Sequence, residues 1–142
     1  MSDASAAGLV SVRSPLPLAE TIGNLLVAVE RRGMMVFARV DHAKCAADAH
    51  IALRPTQLFI FGYPEAEAPL IAENPLFALD FPQRLLVRED EHGQVLLHYR
   101  DPAALGRRLG AGAGALSKLE AIGVSLAGIA AEAGGAKHAA RA

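Results

Sequence analysis

A single cysteine, Cys45, is all the thiol this 142-residue chain carries. No disulfide can close within it, and a reducing cytoplasm suits such a sequence. Long apolar runs are missing too. The longest uncharged stretch, residues 121–131, has 11 residues, short of the ~18 needed to span a bilayer. Residues 1–8 are small and polar, with Asp3 as their only charge and no apolar centre of the kind an export signal has. The expectation is a cytoplasmic protein with no membrane segment. Net charge is almost absent as well: 14 Lys and Arg stand against 15 Asp and Glu, leaving −1. Such a field neither collects nucleic acid nor targets an anionic membrane. The charge is uneven, however. Residues 1–102 hold 9 basic and 13 acidic side chains and residues 103–142 hold 5 and 2, so a mildly acidic body carries a mildly basic end.

What the chain does have is hydrophobic residues, 52 % of the total, enough for one core and one domain. Residues 9–14 (LVSVRS) predict a strand, stopped by Pro15 and Pro17. Over residues 18–32, Leu18, Ile22, Leu25, Leu26 and Val29 recur at helical spacing, and Gly33 supplies the stop. Residues 34–40 predict a second strand, Asp41 the cap of a short helix over 42–49, and residues 57–61 (QLFIF) a buried third strand. The prolines between Pro64 and Pro82 leave room for a short helix around 70–73 and a turn around 77–79.

Residues 84–89 and 94–99 flank Asp90-Glu91-His92-Gly93 as a hairpin. Alternation puts Leu85, Val87, Val95, Leu97 and Tyr99 toward the core, and Arg84, Leu86, Arg88, Leu96, His98 and Arg100 on the other face. Asp101-Pro102 opens a helix through Leu109. The glycines from Gly110 to Gly114 break it, and Leu116, Leu119, Ile122, Leu126 and Ile129 then resume a helical stripe. The fold class expected is α+β: one sheet of about five strands, with helices packed on one face. The domain spans 9–133, its helical C-terminal segment covers 102–133, and residues 1–8 and 134–142 are expected to be flexible.

Several strings form a pattern in consistent order: Asp41-His42-Ala43, Pro55-Thr56, Phe61-Gly62-Tyr63-Pro64, Asn74-Pro75, Ala78-Leu79-Asp80-Phe81-Pro82 and Tyr99-Arg100-Asp101-Pro102. The chain resembles the domain of unknown function 302 family, most densely over 34–102. It departs from the family's usual residues at Tyr63 (Asn), Phe81 (Leu) and His50 (a helix-ending Gly). The resemblance implies a compact α+β domain and a homodimer, and it implies no activity.

The sharpest local feature is Asp41-His42. With Asp41 as cap, His42 and Cys45 become i, i+3 neighbours at a helix start, where a thiol is activated and an anion can be held. The plainer roles are a cap, a surface imidazole and a small semi-buried thiol. A metal site would need ligands that are missing: there is no Cys-x-x-Cys, no His-x-x-x-His and no third donor nearby. His50 points inward if that helix lasts so far. Thr56, Tyr99 and Asp101 lie at strand ends, where they can join Asp41 and His42 in a pocket. There Tyr99 would donate or act as an acid and Asp101 would orient His42; otherwise Asp101 caps the next helix and Tyr99 is a core ring. The stripe of Arg84, Arg88, His98 and Arg100 has no aromatic residue for base stacking, so it reads as a solvated face or subunit contact rather than a nucleic-acid surface. Gly110 to Gly114 lacks the Lys-Ser/Thr of a phosphate loop.

The function expected is a homodimeric small-ligand-binding or sensing protein in the cytoplasm. Its ligand-binding candidates are Asp41, His42, Thr56, Tyr99 and Asp101, and Cys45 is its candidate reactive thiol. The competing readings are a small enzyme with His42 as general base, and an interaction module whose basic end docks an acidic partner. No cofactor is indicated.

Overall fold

In the computed structural model, residues 8–138 are described; of the loose ends expected at 1–8 and 134–142, residues 1–7 and 139–142 lie outside them. The chain runs β1 (Leu9–Ser14), α1 (Leu18–Arg31), β2 (Met35–Asp41), α2 (His42–Asp48), β3 (Thr56–Gly62), α3 (Pro64–Glu73), a 3-10 turn (Pro75–Leu79), β4 (Gln83–Glu89), β5 (Val95–Arg100), α4 (Pro102–Arg108) and α5 (Ala113–Ala133). The five strands form one antiparallel sheet in the order β1-β5-β4-β3-β2.

The alternation read in the hairpin is the alternation observed. Leu85, Val87, Val95, Leu97 and Tyr99 are buried, and so are Phe59 and Phe61 on β3. They meet Leu25, Val29, Leu126 and Ile129 from α1 and α5, which lie together over that face. Removing these side chains from water is the main force holding the layers together, at roughly 1.5–3 kcal/mol for each fully buried aliphatic or Phe side chain. Among the described residues α5 alone is long and apolar enough for a membrane span. Here its apolar stripe is buried against α1 and the sheet, and its Glu132 binds Arg32 of the α1 C-cap through Nη2–Oε2 at 2.6 Å and Nη1–Oε1 at 3.1 Å.

A second cluster sits at one end of the sheet. Leu70, Phe77, Phe81, Ala115 and Leu119 pack there, with the Phe77 and Phe81 rings stacked at 5.8 Å. This cluster explains a difference from expectation: α3 begins at Pro64 and runs through Pro69, instead of forming only around residue 70. Pro64 occupies the first helical position, where its missing N–H costs nothing. Pro69 forfeits one bond, to the carbonyl of the exposed Glu65, and burial of Leu70 offsets the loss.

The inward placement of His50 is corrected. α2 ends at Asp48, and His50 follows it exposed, with φ of 63°. Its N–H bonds the Ala47 carbonyl and that of Ile51 bonds Ala46, which is the left-handed helix stop that glycine ordinarily makes. Cys45 is also exposed rather than semi-buried.

Candidate functional site

Beyond the core, the other face of the sheet is built from the alternate residues of the same strands. The strand register aligns Ser11 with His98, His98 with Leu86, and Leu86 with Leu58 across β1, β5, β4 and β3. One row nearer the strand end, Leu9 faces Arg100 and Ile60 faces Arg84. Continuing the β4–β5 register by two residues puts Arg84 opposite Arg100. Along this face and around the sheet end runs a groove of about 760 Å³. Leu9, Leu58 and Leu86 give it an apolar floor; Arg84, Arg100, His98 and Tyr99 come from the strands, and His42 from the start of α2. Asp101, Leu105 and Arg108 from α4 and its cap, with Leu79 and Asp80 from the 3-10 turn, form its other side.

Three of the five ligand-binding candidates therefore share one groove: His42, Tyr99 and Asp101. The other two do not line it. Asp41 accepts the Lys44 backbone N–H at 3.0 Å and caps α2, and Thr56 Oγ1 donates to the Arg54 carbonyl at 2.9 Å. Asp101 lines the groove yet spends Oδ1 on the Ala103 N–H that begins α4, with Arg107 at 3.9 Å. Neither aspartate is hydrogen-bonded to His42 among the described residues. The orienting carboxylate of a His-based acid–base pair is thus not assembled, and no three of His, Cys, Asp or Glu gather there as metal ligands would.

The electrostatics of the groove are one-sided. Among the described residues Arg84, Arg100 and Arg108 make no ion pair. His98 accepts from Arg88 Nε at Nε2, 3.0 Å, so its proton is on Nδ1, which donates to Ser11 Oγ at 2.8 Å. Burial first, and then the Arg88 charge, push its pKa below the ordinary imidazole value. Burial first, and then Asp101, push the Tyr99 phenol up, so Tyr99 enters the groove as a neutral donor. Gln83, 6 % exposed, also lines the groove, and its Nε2 has no hydrogen-bond partner. Behind it a second cavity of about 860 Å³ lies among α1, α3 and α5. There burial raises the Glu67 carboxyl pKa, against the lowering effect of the Gln83 side chain and of the Tyr63 and Gln83 backbone.

Sequence reasoning placed Arg84, His98 and Arg100 on one face but read them as a solvated face or a subunit contact. It missed Gln83 and Arg108 altogether. The available signal was the like-charge pair, since Arg84 and Arg100 follow from the hairpin register itself.

The model of the family described as domain of unknown function DUF302 matches residues 10–133. The chain belongs to the DUF302 family. A crystal structure of an uncharacterized conserved DUF302 protein from Bacillus stearothermophilus superposes with a TM-score of 0.81 at 17 % identity, covering 89 % of this chain and 98 % of that one. At that identity the likeness speaks for the DUF302 fold alone. Two curated relatives bear the name fluoride-specific ion channel FluC 1. The protein from Brucella suis biovar 1 (strain 1330) is 43 % identical over 101 residues, covering 71 % of this chain and 40 % of that relative. The one from Brucella abortus biovar 1 (strain 9-941) has the same identity over the same length, covering 37 % of that relative. This DUF302 chain thus spans about two fifths of the length of the curated relatives it matches.

Proposed function

We propose that this DUF302 chain is a small-ligand-binding, sensing domain that works as a cytoplasmic homodimer and has no catalytic step of its own. The observation that carries the reading is the groove: it gathers His42, Tyr99 and Asp101 with three arginines that make no ion pair among the described residues, and among those residues no base–orienter or nucleophile–base hydrogen bond forms beside them. Concave, part-apolar sites with a few convergent polar groups are where small molecules bind. For the homodimer, support comes from β2, an edge strand exposing Met35, Val36 and Phe37 with an unpaired row of backbone groups, which a second copy can cover by strand pairing. For the cytoplasm, support comes from a lone thiol that is exposed.

The fluoride-channel name of the relatives is accommodated in the same reading. A five-stranded sheet with two open edges leaves backbone groups unpaired, and hydrocarbon does not tolerate that. The region those relatives share with this chain therefore serves as an attached sensing domain, and conduction belongs to the rest of their length. The test is a melting-shift screen of small acids and neutral metabolites on the wild type and on the His42→Ala/Tyr99→Phe double variant. A compound that raises the wild-type Tm and leaves the double variant unmoved is expected; shifts equal in both would overturn the groove as the site.

A further inference from the structure

We propose that the groove takes an organic anion with an apolar body: a carboxylate or phosphate head held between Arg84 and Arg100, and a hydrocarbon or aromatic body laid along Leu9, Leu58 and Leu86. The inference rests on the groove being the ligand site and adds the chemical class of its occupant.

Two like charges directly opposite on antiparallel strands repel one another and weaken the sheet. Arg84 and Arg100 come next on this face beyond the last β4–β5 pair, Leu86 with His98, both line the groove with Arg108 of α4, and none of the three has a carboxylate within ion-pair distance among the described residues. An arrangement that costs the empty fold is offset when an anion sits between the guanidinium groups, because charge-assisted, bidentate bonds to carboxylate or phosphate are among the strongest hydrogen bonds available.

Size and floor choose the kind of anion. A bare halide or acetate would leave most of the 760 Å³ and the three leucines unused, whereas an apolar body gains on the order of 25 cal/mol for each Å² removed from water. A polyanion is disfavoured by the flanks, since Asp80 and Asp101 line the same groove as the arginines. The positive potential is thus local, suited to one head group.

Titration calorimetry at low salt tests this with octanoate and octyl phosphate as probes, and with acetate, sodium fluoride and 1-octanol as the same molecule's parts or competitors. Saturable one-to-one binding of at least one of the first two is expected, and the tighter of them identifies the head group. Acetate and fluoride should be weaker for want of a body, and octanol for want of a head, each by about tenfold or more. Arg84→Gln and Arg100→Gln, singly and together, should weaken octanoate or octyl phosphate by at least about tenfold while the Tm of the ligand-free protein stays level or rises. A purely structural arginine would lower it.

Octanol binding as tightly as octanoate, or full affinity in the double variant, would overturn the anion class while the groove stands, provided the His98 ring resonances still move on binding. If no probe binds, or none perturbs His42 and His98, the groove reading itself falls.

Discussion

His50 closes α2 in a conformation that glycine adopts freely and histidine does not, with φ of 63°. The matching positions after α1, α4 and α5 are Gly33, Gly110 and Gly135, all at positive φ, so one helix of the four carries a Cβ where the others have none. No hydrogen bond of the His50 side chain compensates among the described residues, and the ring is exposed. His50→Gly is therefore expected to stabilise the protein by about 0.5–1 kcal/mol, a Tm gain of roughly 2–4 °C by calorimetry for a chain of this size. Glu132 works in the opposite sense. Its bonds to Arg32 first, and then to His138, hold its carboxyl down from 4.5 to about 2 against the cost of burial. Because the folded-state pKa lies below the unfolded one, the unfolded chain binds this proton more tightly as acid is added. The stabilisation is complete above the ordinary carboxylate range and drains away as pH falls from 4.5 through about 2. Glu132→Gln should cost about 1–3 kcal/mol near neutral pH and flatten the acid limb of the stability curve, read by urea unfolding across that window.

At the scale of elements, the hairpin and the first helix were the most legible parts, because periods of two and of 3.6 residues are written in side chains that meet the core. Residues 64–73 were not. Of the two prolines there, Pro69 argues against a helix, and only the burial of Leu70, a tertiary fact, makes the helix worthwhile. The turn from α4 into α5 was legible as a break at Gly110, but the reason for Gly106 was not. A Cβ there would run into Leu119 Cδ1 and come within 3.1 Å of Leu116 Cδ2, so this glycine sets how closely the two helices pack. Gly106→Ala should cost about 1–3 kcal/mol through overpacking and leave ligand affinity of the folded protein intact, measured by thermal unfolding beside the calorimetric titration.

For the whole molecule, the fold and the two faces of the sheet followed from local pattern; His42, Tyr99 and Asp101 line one groove, although the register sets the end of β2 level with Leu97 rather than with the end of β5. Asp41 and Thr56 were grouped with them and proved to be committed to backbone groups nearby. The arginines were visible as a stripe, yet only the closing of α4 and the 3-10 turn around the strand ends makes that stripe one side of a concavity. An isolated sheet with open edges also predicts what this chain does not do: reconstituted by itself into liposomes, it should give no fluoride efflux above the empty-vesicle background, and efflux through this chain alone would contradict its reading as a sensing domain. The most direct measurement is NMR of the His42 and His98 imidazoles and the Tyr99 ring while octanoate or octyl phosphate is added. All three should shift along one saturating curve, His98 among them because it lines the groove, half-buried beside Arg88. Rings that stay still while resonances elsewhere in the chain move would contradict the account.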